Sequence, residues 1–173
     1  MCIRDRPYEF EKGSPKGAQK DCDARWTKKN NETHFGYKNH AKVDAKSKLI
    51  DSYTTTPASV HDSQVFEELL DEKDKAILSD SAYKSQTNEE VLLKRNLEDF
   101  TMLKANRNSP LSNADKIYNK KVSRIRVRVE HVFGRMKYMA ADIFRRIGIQ
   151  RASQHNALCN LTYNMDRYAF LQR

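Results

Sequence analysis

Between Val122 and Met136 the apolar residues Val122, Ile125, Val129, Val132, Phe133 and Met136 recur at the three-and-four spacing of a helix that buries one face. That spacing predicts a long amphipathic helix that must pack on another element. At about 100° per residue, Arg126 lies roughly 40° from Glu130 around the axis and Lys137 roughly 20° from it, about a quarter turn from the apolar centre. A carboxylate at the edge of a buried face, with one cation a turn before it and another two turns after, suits a site that handles both metal and phosphate. An exposed helix with an i,i+4 ion pair worth about a few tenths of a kcal/mol accounts for the same residues.

The rest of the chain supplies something for such a helix to pack on. Thr33, Phe35, Tyr37, Asn39, Ala41 and Val43 alternate with His34, Gly36, Lys38, His40 and Lys42, the period of a half-buried strand. A turn at 44–47 and a second strand over 49–55 complete a hairpin. Asp62 is expected to cap a helix carrying Val65, Phe66, Leu69 and Leu70. A short buried strand, 76–79, ends at Asp80. Thr87 to Glu90 reads as a capping box opening a helix through Val91, Leu92 and Leu93. A strand over 100–103 and a loop over 105–114 precede the long helix. A last helix, 153–168, is expected to turn Leu158, Leu161 and Met165 inward. Hairpin strands followed by alternating strand and helix predict a mixed α/β domain.

Composition restricts the partners. The chain has 173 residues, 32% charged and 38% hydrophobic, with a net charge of +9, which favours polyanions because each phosphate contact releases counterions. No apolar run is long enough to span a bilayer, and no secretory segment is evident. Cys2, Cys22 and Cys159 lack metal-ligand spacing and fit a reducing cytoplasm. Residues 1–6 have no cap, turn or periodicity and resemble a sequencing or assembly scar, while 12–20 read as a linker. The expected organisation is a disordered segment 1–20 followed by one folded domain, 21–173, the chain beginning inside a larger protein.

Asp80 closes an apolar strand, and the C-terminal edge of a strand is where open α/β sheets build sites; a turn or cap aspartate is the plainer role. Asp80 and Glu130 are hard oxygen ligands suited to Mg²⁺. With a third carboxylate they could hold two metals that activate an attacking oxygen and steady a leaving one.

Ile77-Leu-Ser-Asp80-Ser-Ala-Tyr83, with Arg126, Glu130 and Lys137, resembles the bacterial insertion-sequence transposases of the DDE type. Phe35 to Asp44 and Val60-His61-Asp62 match further segments of that family, and the resemblance covers about 21–168. It implies an RNase H-like mixed sheet flanked by helices, with Asp80 as second acid, Glu130 as third, and both as metal ligands. It also implies Arg126 and Lys137 on DNA near the cleavage point, and Mg²⁺ as cofactor in a two-metal site, with Mn²⁺ as a substitute. The intact enzyme would act on double-stranded DNA, at the element's terminal inverted repeats and at target DNA, as a homodimer in the bacterial cytoplasm, nucleoid-associated when bound. Two departures stand out. A tyrosine that part of the family carries three residues before the helix arginine is Ser123 here, which marks a divergent branch or weakens DNA handling. The strand bearing the first catalytic aspartate is not found before Asp21, so that strand is expected to be missing; Asp44 has a suitable side chain but sits in the hairpin turn.

The remaining positions admit two readings each. His61 and Asp62 orient the site or its DNA, or Asp62 only caps a helix. His34, Lys38, His40 and Lys42 share a strand face that lines a phosphate path or is simply solvated. Arg124, Arg128 and Arg135 lie off the apolar face and add phosphate attraction without base readout. Trp26, among Arg25, Lys28 and Lys29, stacks on an unpaired base or anchors the start of the domain. The activity expected is cutting and joining of DNA by phosphoryl transfer. A metal-dependent nuclease of the same fold and an inactive DNA-binding remnant are the alternatives.

Overall fold

The computed structural model describes residues 20–29, 31–105, 110–141, 143 and 146–173. Residues 1–19, which include the scar, most of the linker and Cys2, lie outside the described residues, as do 106–109 of the loop before the long helix. No helix among the described residues is long and apolar enough to cross a membrane.

Three antiparallel strands form the first layer: β1 (Arg25–Lys29), β2 (Glu32–Val43) and β3 (Ile50–Pro57), in the order β1-β2-β3. The β2–β3 hairpin is the one its period-two alternation predicts, with a register irregularity at Lys42/Val43. β1 was not expected as a strand. It pairs Trp26 with Phe35, whose rings meet at 5.0 Å, so the tryptophan packs within the sheet and anchors the start of the domain.

After β3 comes a 3-10 turn over Asp62–Val65, which leads into the single-turn helix α1 (Phe66–Leu69). The cap is His61, whose ring accepts from the Ser63 amide; Asp62 is already inside the turn. The expected Asp62 cap is therefore displaced by one residue, which frees that carboxylate for other partners. Strand β4 (Ala76–Ile77) pairs in parallel with β5 (Glu98–Asp99). Amides of Glu98, Phe100 and Met102 donate to the carbonyls of Lys75, Ile77 and Ser79 at 3.0, 2.8 and 3.1 Å, so the pairing runs up to the residue before Asp80. The strand expected over 100–103 thus begins earlier. Between β4 and β5, helix α2 (Gln86–Lys94) is capped by Ser85 on the Asn88 amide rather than by Thr87, and Leu93 on it is exposed.

The long helix α3 (Asn113–Tyr138) opens with a capping box between Ser112 and Asp115. It buries Val122, Val132 and Met136, while Ile125 and Phe133 stay partly exposed. Val132 and Met136 join Ile50 and Tyr163 in one core cluster. Helix α4 (Ile149–Leu171) corrects an expectation. Leu158, Leu161 and Met165 face outward, and Ala152, Asn160 and Tyr163 are buried. Its inward face is a row of asparagines one turn apart. The Asn156 amide donates to Thr55 Oγ1 at 2.8 Å, Asn160 and Asn39 exchange amide hydrogen bonds at 2.9 and 3.4 Å, and Asn164 takes both backbone groups of Ile50 at 2.8 Å. Backbone N–H and C=O groups of an outer strand must find partners, and at Ile50 the Asn164 amide supplies both. The other end of α4 is tied by Asp21 and Asp23, whose carboxylates accept the Gly148 and Ile149 amides at 3.2 and 3.1 Å.

Candidate active site

The two small sheets do not join among the described residues: β2 has β1 and β3 as neighbours, and β4 has β5. Between them runs a groove of about 250 Å³, walled by 41–45 of β2 and its turn and by 76–78 at β4, with Ile125, Arg126, Arg128 and Val129 of α3 also lining it. Lys42 ties the two walls together. Its ammonium sits 2.6 Å from Asp51 and 3.0 Å from Asp74 with little exposure. Burial pulls the Lys42 pKa down, but the hydrogen bonds and charges of the two carboxylates outweigh it and raise the net value.

Asp80 lies two residues beyond the Leu78 wall. One carboxylate oxygen accepts the Ser81 amide at 2.7 Å and caps the 3-10 turn Ser81–Tyr83. The other faces the Arg126 guanidinium at 3.5 Å. Behind it, the buried Ser79 and Thr101 hydroxyls meet at 2.7 Å and brace the strand end. Arg126 also reaches Met102 Sδ at 3.2 Å, so one side chain links α3 to both inner strands. Glu130 follows Arg126 by one turn, about 6 Å along the axis, and is exposed. Lys137 is exposed further along the same row. Sequence spacing alone groups Arg126, Glu130 and Lys137; the fold brings Asp80 to Arg126.

A second cluster adjoins the first. Lys38 donates to the Val60 carbonyl at 2.8 Å and to Asp62 at 3.1 Å. His40, only 5% exposed, bonds Thr56 Oγ1 at 2.8 Å and lies 3.8 Å from Asp62; burial pushes its pKa down. His40 and Lys42 thus sit in internal networks, neither on a solvated face nor along an open phosphate path. Tyr83 packs against Phe66 at 5.9 Å, and its pKa is pushed up to about 12 by burial, helped by the charges of Asp62 and Asp80. Asp62, Tyr83 and Asp80 are therefore electrostatic neighbours, a link that no sequence spacing shows. His61 is exposed and spends its ring on Ser63.

Asp44 accepts both the Ser47 amide and hydroxyl in the hairpin turn, and these bonds hold its pKa below the usual carboxylate range. Arg128 donates to the Ala45 carbonyl, and Arg124 is exposed. Among the described residues no group of three His, Cys, Asp or Glu side chains is placed to hold a metal ion. The Cys22 thiol donates to the Lys20 carbonyl, and the Cys159 thiol lies 3.5 Å from His155 Nε2.

The described residues thus form a mixed α/β arrangement with an acid just past a strand end, met by the arginine of a helix that also carries a glutamate. Residues 13–165 match the family described as a transposase DDE domain. The chain is also 34% identical over 146 residues to the transposase for insertion sequence element IS1106 of Neisseria meningitidis serogroup B, covering 81% of this chain and 50% of that one. The chain belongs to the DDE-type insertion-sequence transposases. It spans about half the length of the curated relative it matches. No solved structure matches.

Proposed function

We propose that this chain is part of an RNase H-like catalytic domain that cuts and joins DNA at insertion-sequence ends by phosphoryl transfer. The observation that carries the reading is the 3.5 Å approach of Arg126 to Asp80, which brings the Glu130 helix to the end of β4. Asp80 and Glu130 are then the second and third acids. The donor set fits a divalent cation in part. Both are carboxylates accessible to solvent, and Mg²⁺ fills the rest of its shell with water and substrate phosphate. When bound, such ions supply an activated attacking oxygen and charge compensation at the leaving one.

The remaining chemistry belongs to the protein. Arg126 balances Asp80 and offers its other N–H groups to a phosphate. Lys137, Arg124 and Arg128 add attraction without base readout, and Lys38 and His61 hold the Asp62 turn against the site. A third carboxylate would enter on a strand seated in the groove between β2 and β4, which Arg126 also lines. Unless such a strand is in place, the acids of this chain should not cleave DNA. The intact enzyme would act on terminal inverted repeats and target DNA, as a homodimer in a bacterial cytoplasm.

The test is a strand-transfer assay with the protein expressed from its whole reading frame and DNA carrying the element's ends. Mg²⁺- or Mn²⁺-dependent joining, abolished by Asp80→Ala and by Glu130→Ala with DNA binding retained, is expected. Cleavage without joining would favour a nuclease; no chemistry at all, with binding intact, would favour an inactive DNA-binding remnant.

A further inference from the structure

A second cavity, about 430 Å³, opens between α3, α4 and the β2–β3 turn and shares no lining residue with the groove. By 100° per residue, its α3 residues His131 and Arg135 fall roughly 100° to 140° around the helix from Glu130, so it faces a different flank from Asp80. Its charged lining is Lys48, Arg135, Arg167 and Arg173 against one carboxylate, Asp166. That carboxylate is already used. Arg135 grips it through Nε and Nη2 at 3.0 and 2.8 Å and Arg173 shares its charge, so the four cations outnumber the one side-chain carboxylate in the lining.

The cations are held in place rather than tethered loosely. Lys48 has a left-handed backbone (φ 64°), and its amide donates to the Asp44 carbonyl at 2.9 Å. Its carbonyl accepts the hydroxyl of buried Tyr163 at 2.9 Å. Arg167 Nε donates to the Ser47 carbonyl at 2.7 Å while its guanidinium lies 4.9 Å over the Phe170 ring. The turn is thus braced against α4 from two points, which fixes the backbone that carries Lys48, whose Nζ lies 3.2 Å from His131 Nδ1.

We propose that this cavity binds the phosphodiester backbone of a DNA segment other than the one at Asp80, with Lys48 and Arg167 as the phosphate contacts and Asp166 as the group that restrains affinity. The inference rests on the reading of the chain as a DNA-acting protein. It goes further by assigning a second contact on the opposite flank of α3.

The test is duplex binding by fluorescence anisotropy across a salt series. Lys48→Gly suits the left-handed backbone and should flatten the slope of log K against log salt by about one unit. Asp166→Asn should steepen it and tighten binding by freeing Arg135. Exposed Arg151 and Glu72, outside the cavity, serve as charge-matched controls through Arg151→Ala and Glu72→Gln. Opposite shifts at Lys48 and Asp166, each larger than its control, support the assignment. Shifts equal to the controls overturn it while leaving the function reading intact, whereas a chain that binds no duplex at all overturns both. Inorganic phosphate is the remaining probe: saturable calorimetric binding that Lys48→Gly abolishes, with duplex binding unchanged, would make this a free-anion site and refute the DNA assignment.

Discussion

Asn164→Ala tests whether amide side chains close the outer edge of β3. Asn164 accepts the Ile50 amide and donates to the Ile50 carbonyl, both at 2.8 Å, and Ile50 is 6% exposed. Truncation strands one donor and one acceptor away from water. At about 1–3 kcal/mol for each of the two unsatisfied groups, the loss is about 2–6 kcal/mol, less where water reaches the vacated space. For a chain of this length that is roughly 5–20 °C in thermal midpoint. Denaturant unfolding of wild type and variant measures it. Asn164→Asp refines the test: the carboxylate keeps the acceptor but opposes the Ile50 carbonyl, so it should be destabilising at neutral pH and less so near pH 4, where a protonated acid can donate again. A loss below about 0.5 kcal/mol for Asn164→Ala, the range of ordinary surface changes, would refute the edge-closing role.

Lys42→Met should cost roughly 3 kcal/mol, because it leaves the largely buried Asp74 carboxylate without its cation; urea titration would show it, and an unchanged midpoint would argue against the bridge across the groove. Burial holds His40 neutral in the folded chain, so the unfolded chain takes up the proton first as pH falls below about 6.5. Its contribution to stability is then full above that pH and declines below it, and His40→Gln should flatten the dependence of the thermal midpoint between pH 7 and 5. Asp80→Asn should leave the thermal midpoint nearly unchanged, since asparagine caps as well as aspartate, yet abolish Mg²⁺-dependent chemistry in the intact enzyme.

The parts of the fold legible in the sequence are those where side-chain periodicity and burial coincide. The hairpin strands were legible from their alternation even though His40 and Lys42 on the polar face are also largely buried, and α3 shows its apolar stripe because Val122, Val132 and Met136 meet the core. β1 was not legible: Arg25-Trp-Thr-Lys-Lys29 has no alternation, and its strand form comes from pairing with β2. α4 misled for a physical reason. Periodicity assigns Leu158, Leu161 and Met165 to the core, but the face that α4 turns to the sheet meets polar groups, the Thr55 hydroxyl, the Asn39 amide and the Ile50 backbone, so Asn156, Asn160 and Asn164 turn inward instead. At the site, spacing along one helix groups Arg126, Glu130 and Lys137. The nearness of Asp62 and Tyr83 to Asp80 depends on how the two 3-10 turns pack, which no local pattern encodes.

The central claim is that Asp80 and Glu130 serve one divalent cation. Mn²⁺ titration of the isotopically labelled protein with duplex DNA, followed by paramagnetic line broadening, tests it most directly. The account predicts one centre that broadens resonances around Asp80 and Glu130 together, at the same Mn²⁺ concentration, and that is weakened by either Asp80→Asn or Glu130→Gln. Broadening at only one of the two, or two centres that respond to the substitutions independently, would contradict it.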